Sequence, residues 1–253
     1  MTRAASERDV VRPRKMADIV ADRIRRMIAR GDIGDGEWLP TESELVSAFG
    51  VSRPTLREAF RLLEADSLIT IRRGPPGGAQ VTVPGPEAAA AQFGMLLTLS
   101  GTTIQDVYDA RMVVEPAAAR DLAHRGTAAG RKALAETLEE ARAAVGGPSF
   151  GRISLRFHRQ VVELGGNQTM ATVIGMLSEI VSRHLARAYE IPDTSEGTVA
   201  RNKKALRAYE KLVELVEARR GEEAQKLWLK HMRAARAHLF RTGDETQVVD
   251  LLY

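Results

Sequence analysis

The chain has 253 residues, 44% hydrophobic and 28% charged, enough for one large domain or two of moderate size around a real core. Its longest apolar run, Ala88–Leu99, is interrupted by Gln92 and falls short of the roughly 18–20 residues that span a bilayer, and its charged first 14 residues lack the apolar stretch of a secretory signal, so a cytoplasmic protein with no membrane partner is expected. The absence of cysteine excludes disulfides, zinc ribbons and thiol nucleophiles, and a net charge of only +4 means that any nucleic-acid reading must rest on where the charges lie.

The first 83 residues mix short helical patterns with a β-like end, and everything after Pro86 is helix-patterned. Val83-Pro84-Gly85-Pro86 leaves little room for a helix and is expected as a linker, over residues 84–87, after a flexible N-terminal arm over residues 1–13 and a first domain over residues 14–83. In that domain Ala17–Ala29 places Ile19, Val20, Ile24, Met27 and Ile28 near one helical face. Gly31–Gly36 stops this helix. Thr41-Glu42-Ser43-Glu44 is a capping-box pattern opening a short helix through Phe49, and Gly50 ends it. Ser52 caps a third helix, Pro54 is tolerated in its first turn, and Leu56, Phe60 and Leu63 form its core-facing stripe. Two helices about a glycine-containing turn make a helix-turn-helix. Leu68–Arg72 and Gln80–Val83 then read as strands of a hairpin wing with a basic tip, Arg73-Gly74.

On the third helix Arg53, Arg57 and Arg61 recur every four residues, off the apolar stripe. Such a ridge is commonly no more than a solvated charged face, but here it follows a helix-turn-helix and precedes a wing, an arrangement suited to major-groove entry. Leu39-Pro40-Thr41-Glu42-Ser43-Glu44-Leu45, Gly50-Val51-Ser52-Arg53-Pro54-Thr55-Leu56-Arg57-Glu58-Ala59 and Leu62-Leu63-Glu64 resemble the winged helix-turn-helix of GntR-family transcription regulators. The resemblance implies that Arg53 and Arg57 contact operator bases, that Thr55 reaches a phosphate or base, and that Gly74 lets the wing backbone approach DNA. Thr41, Ser52, Arg61 and Arg73 complete the expected DNA-binding surface. Ser43 stands where many members carry arginine, which leaves the operator sequence open.

Six helix-patterned segments follow, Thr103–Arg125, Thr127–Val145, Phe150–Leu164, Gln168–Tyr189, Thr198–Arg220 and Glu222–Arg241, after a shorter one, Glu87–Leu99. No alternating strand pattern intervenes, which sets aside the α/β effector domain of one GntR branch, and the chain is too short for the aminotransferase domain of another. Tyr108-Asp109-Ala110-Arg111-Met112-Val113-Val114-Glu115-Pro116, Phe157-His158-Arg159 with Gly166-Asn167, and Lys230-His231-Met232 resemble the FadR branch, with its FCD-type bundle over residues 88–241. The fold expected is therefore mainly α, a winged helix-turn-helix joined to an all-helical bundle of six to seven helices, with a C-terminal tail over residues 242–253.

Members of this branch often hold one divalent metal with an Asp and three His. Carried onto this chain, the four positions are Ser154, His158, Tyr209 and His231, so only His158 and His231 survive as ligands for one divalent zinc, nickel or manganese ion, a weak, degenerate site that makes no cofactor certain. Loss of the Asp and one His removes a charge and adds an aromatic surface, which suits a larger, partly apolar effector of acyl-CoA type, whereas an occupied metal site would favour a small organic acid, and Arg111 with Arg183 or Arg187 are candidates to pair with the effector's carboxylate or phosphate. The resulting expectation is a ligand-responsive repressor that binds a palindromic operator as a homodimer and is released by its effector. The alternative, a metal-dependent helical-bundle enzyme using His158 and His231, lacks the polarising carboxylate expected beside the histidine. A bundle that only dimerises is a third possibility, and it predicts no ligand response.

Overall fold

The structure, a computed structural model, describes residues 15–74, 77–188 and 195–239, with side chains described for all of these except 185–188 and 237–239. Its contacts divide the chain into two compact units, Met1–Pro84 and Gly85–Tyr253. The expected arm over residues 1–13, the tail over residues 242–253 and the Arg187 side chain lie outside the described residues.

In the first unit, helices α1 (Met16–Arg30), α2 (Glu42–Phe49) and α3 (Arg53–Ala65) precede strands β1 (Ile69–Arg72) and β2 (Gly78–Val81). The α1 face that meets the core carries Ala17, Val20, Ala21, Ile24 and Ile28 at helical spacing. Ile19, expected on that face, is 44% exposed, because it lies about 100° around the helix from Val20. Thr41 and Glu44 form the reciprocal capping box: the Thr41 hydroxyl accepts from the Glu44 N–H, and the Glu44 carboxylate accepts from the Thr41 N–H. Gly50 ends α2 at φ 64°, a left-handed conformation that glycine adopts without a Cβ penalty, and Ser52 caps α3 one turn later. Leu56, Ala59, Phe60 and Leu63 of α3 fill the same core.

The second strand differs from the sequence reading. It runs over Gly78–Val81 rather than Gln80–Val83, because the antiparallel register pairs Ile69 with Val81 and Arg72 with Gly78. Its outer edge is covered by the segment after α1. Trp38 bridges Gln80, the Leu39 N–H donates to the Ala79 carbonyl at 2.9 Å, and the Val81 N–H donates to the Glu37 carbonyl at 2.8 Å. Ladder bonds on both sides settle where β2 lies, and the turn-rich sequence around Gly77-Gly78 does not reveal them.

The second unit is all helical among the described residues: α4 (Pro86–Leu99), α5 (Ile104–Arg125), α6 (Ala128–Ala144), α7 (Phe150–Glu163), α8 (Gln168–Ala188), α9 (Glu196–Glu217) and α10 (Gly221–Leu239). Helix α4 starts at Pro86, within the segment expected as linker, since proline's fixed φ suits a first helical turn. Thr103, Thr127 and Ser195 cap α5, α6 and α9, and the Asn167 side chain accepts from the Met170 N–H at the start of α8. Two apolar clusters form the core. One joins Leu122, Leu134, Phe157, Tyr209, Leu212 and Trp228, and the other joins Ile104, Val107, Ile174, Ile180 and Val181. Helix α5 contributes to both, so it is the axis of the bundle.

Candidate functional site

Two groups of residues carry chemistry, one in each unit. On the first, Arg53, Arg57 and Arg61 stand exposed along α3, opposite the buried Leu56–Leu63 stripe. The start of α2 orients two of them. Arg53 donates to the Ser43 hydroxyl at 3.3 Å, and Arg57 lies 3.5 Å from the Glu42 carboxylate. Ser43 therefore sits beside Arg53 in the free protein. Ser52 and Thr55 hydroxyls share a 2.8 Å hydrogen bond at the tip of α3, while Arg61 is paired with Glu58 at 3.3 Å. Arg73 and Gly74 are exposed at the end of the wing, and Gly74 has φ 92°, so a side chain there would be strained. Thr41 is tied up as a helix cap, and its hydroxyl also donates to the Glu44 carboxylate.

In the second unit the four positions carried over from the metal pattern do converge. Ser154 and Tyr209 hydroxyls are 2.6 Å apart, and the His158 and His231 Nε2 atoms are 3.3 Å apart. What the sequence reading missed is the carboxylate behind them. Glu115 is 0% exposed; it accepts from Arg111 Nε at 2.7 Å, Trp228 Nε1 at 3.1 Å and His158 Nδ1 at 2.6 Å. Burial alone would raise the Glu115 carboxyl, but the adjacent Arg111 charge, His158 and the hydrogen bonds from His158 and Trp228 outweigh it and hold it down at about 2. As an anion it can only accept, so His158 carries a proton on Nδ1 and turns Nε2 toward His231. Burial, followed by the neighbouring His158, pushes His231 down to about 3. Burial also pushes the Tyr209 hydroxyl upward, against the hydrogen bond from Ser154.

These four side chains do not fit a tight metal site. A neutral tyrosine hydroxyl and a serine hydroxyl that already bond each other replace the charged donors, and two imidazoles remain. Among the described residues no group of three or more His, Cys, Asp or Glu is placed to hold a metal ion.

The cluster forms one wall of a cavity of about 510 Å³. Phe150, Leu155, Leu227 and Met232 give it an apolar lining, and Arg111, Arg201, Lys204 and Lys230 also line it. None of its lining residues is Asp or Glu. Arg201, Lys204 and Lys230 went unnoticed in the sequence because nothing but the folding of α9 against α10 aims them at a common space. The reverse holds for Arg183, which is exposed on α8, pairs with Glu179 at 2.8 Å and does not line the cavity. The signal for Glu115 was present, however: a carboxylate one helical turn after Arg111 on an otherwise apolar helix face.

Comparison with known proteins accounts for both units. Residues 16–77 match the gntR family of bacterial regulatory proteins, and residues 106–234 match the FCD domain. The HTH-type transcriptional repressor NanR of Enterobacter sp. (strain 638) is 27% identical over 241 residues, covering 92% of this chain and 89% of that one. The HTH-type transcriptional regulator RmpR of Mycobacterium gastri is 30% identical over 236 residues, covering 89% and 81%. Among solved structures, a Streptococcus agalactiae GntR shares the fold with a TM-score of 0.71 at 22% identity, covering 88% of this chain and 99% of that chain. These relatives are transcriptional regulators, not enzymes, which sets aside the metal-dependent enzyme considered from the sequence. No helix among the described residues is long and apolar enough to cross a membrane.

Proposed function

Since the chain belongs to the GntR family of bacterial regulators, in the branch carrying an FCD domain, we propose that it is a cytoplasmic repressor that binds a palindromic operator as a homodimer and is released by an anionic metabolite. Arg53 and Arg57 read bases, Thr55 and Arg61 hold phosphate, and the Arg73-Gly74 wing tip approaches the backbone, with Thr41, Ser43 and Ser52 orienting the recognition helix. Repression is favoured by the NanR relatives, which are named repressors.

The cavity carries the effector half of this reading. Its apolar lining and its Arg201, Lys204 and Lys230 suit a molecule with an uncharged body and an anionic end, a small organic acid or an acyl-CoA-type compound, while Arg111, paired with Glu115, offers only its remaining N–H groups. Glu115 does not repel such an anion, because Arg111 already neutralises it. His158 and His231 contribute imidazole hydrogen-bonding groups, Ser154 and Tyr209 hydroxyls, and no metal is required; Arg187 is kept as a candidate on α8. To release DNA the effector must favour the DNA-free arrangement, since a ligand with equal affinity for both shifts nothing. Its influence reaches α3 through residues 83–86, which join the units.

Fluorescence anisotropy on promoter fragments tests the reading. The protein should bind one fragment specifically, and a carboxylate or acyl-CoA from a panel should weaken that binding at least tenfold. Specific binding that no anion alters would leave a regulator whose bundle only dimerises, and no specific DNA binding would overturn the proposal.

A further inference from the structure

We infer that two copies of the bundle pair through α5, the helices running antiparallel about a twofold axis at Val113. This rests on the homodimer reading above and adds the face that forms it. Val113 is 77% exposed, more than any other large hydrophobic side chain among the described residues, although it lies in the middle of the helix that anchors both cores. Around it runs a stripe: Asp106, Ala110, Val113, Ala117 and Arg120, all partly or fully exposed, spaced by four, three, four and three residues. That is the spacing of a seam by which one helix packs on another. The opposite side of α5 is filled by Ile104, Val107, Ala119 and Leu122, and among the described residues of its unit nothing covers Val113.

The charges select the partner and its direction. Asp106 lies seven residues before Val113 and Arg120 seven residues after it. In an antiparallel pair centred on Val113, Asp106 of each copy faces Arg120 of the other, giving two opposite-charge contacts about 21 Å apart along the helix. A parallel pair would set Asp against Asp and Arg against Arg. Asp106 is already fixed at one end of the stripe, where its Oδ2 accepts from the Thr103 N–H at 2.9 Å and hydroxyl at 2.7 Å. Among the described residues Arg120 forms an ion pair only with its chain neighbour Asp121, at 3.5 Å, a long contact that leaves it able to exchange partners. Between the charges the small Ala110 and Ala117 let the helix axes approach to about 8 Å. The other exposed apolar face, Met95, Leu96 and Leu99 on α4, has no such pattern, since Glu87 is the sole charge on that helix.

The chain contains no cysteine, so Val113→Cys places its only thiol on the axis. At a protein concentration where sedimentation shows a dimer, diamide should link Val113→Cys into a covalent dimer that dithiothreitol reverses, and Leu99→Cys, equally exposed, should stay unlinked. Arg120→Asp should weaken dimerisation roughly tenfold while circular dichroism shows an intact bundle. A dimer linked by Leu99→Cys and not by Val113→Cys overturns this interface and leaves the homodimer reading standing. A monomer at tens of micromolar overturns both.

Discussion

Glu115 and Arg111 illustrate how much one buried pair decides. Both are essentially unexposed, at 0% and 2%, and each charge is tolerable only because the other is 2.7 Å away. Glu115→Gln leaves Arg111 buried without a counter-charge, and we expect the bundle to lose about 3–5 kcal/mol in urea unfolding. A loss below about 1 kcal/mol would show that Arg111 finds water or another acceptor. The same cluster sets an acid limit. His231 is held at about 3 when folded against an ordinary value of 6.5, so the unfolded chain takes up its proton first, and stability falls as pH drops from about 6.5 towards 3. Glu115 is depressed from 4.5 to about 2, so its contribution is fully present above 4.5 and is lost as pH falls towards 2. Urea midpoints measured from pH 7 to 4 should therefore decline, and His231→Gln should flatten the decline between pH 6.5 and 4.5. An unchanged slope in that variant would mean that another group carries it.

At the scale of elements, the recognition helix depends on the helix before it. Thr41 caps α2, and α2 in turn holds Arg53 through Ser43 and Arg57 through Glu42. Thr41→Ala should cost about 0.5–2 kcal/mol of stability. Arg57→Ala should cost about 1–3 kcal/mol of operator affinity and relax selection at one base, whereas Arg61→Ala should weaken all sequences alike and lower the salt slope by about 1. Equal effects of the two on specific and random DNA would remove Arg57 from base contact. Caps and glycines made these helices readable, because Thr41, Gly50 and Ser52 act on backbone groups within a few residues of themselves. The β2 strand was displaced by two residues from its reading, because its position depends on Glu37–Leu39, about forty residues earlier.

For the whole molecule, the prediction is that the purified chain carries no metal. Native mass spectrometry should report a dimer without stoichiometric zinc, nickel or manganese, and added zinc should bind only weakly, since His158 and His231 are joined by two hydroxyl groups rather than by further charged ligands. One tightly held metal per subunit would show that groups beyond these four complete the shell. A co-purified organic anion, in contrast, would be expected in the Arg201 and Lys204 cavity, and it would weaken operator binding if the coupling proposed above holds.

By itself the sequence determined the order and ends of nearly every helix and the arginine ridge of α3, because apolar spacing, caps and prolines act locally. It also brought Ser154, His158, Tyr209 and His231 together, though only through a resemblance. Tertiary structure alone decided that Glu115 lies behind them, that Trp228 joins it from 113 residues away, and that Arg201, Lys204 and Lys230 face one cavity. Those relations arise when α5, α9 and α10 pack, and a linear pattern records which face of a helix is apolar but not which helix will cover it.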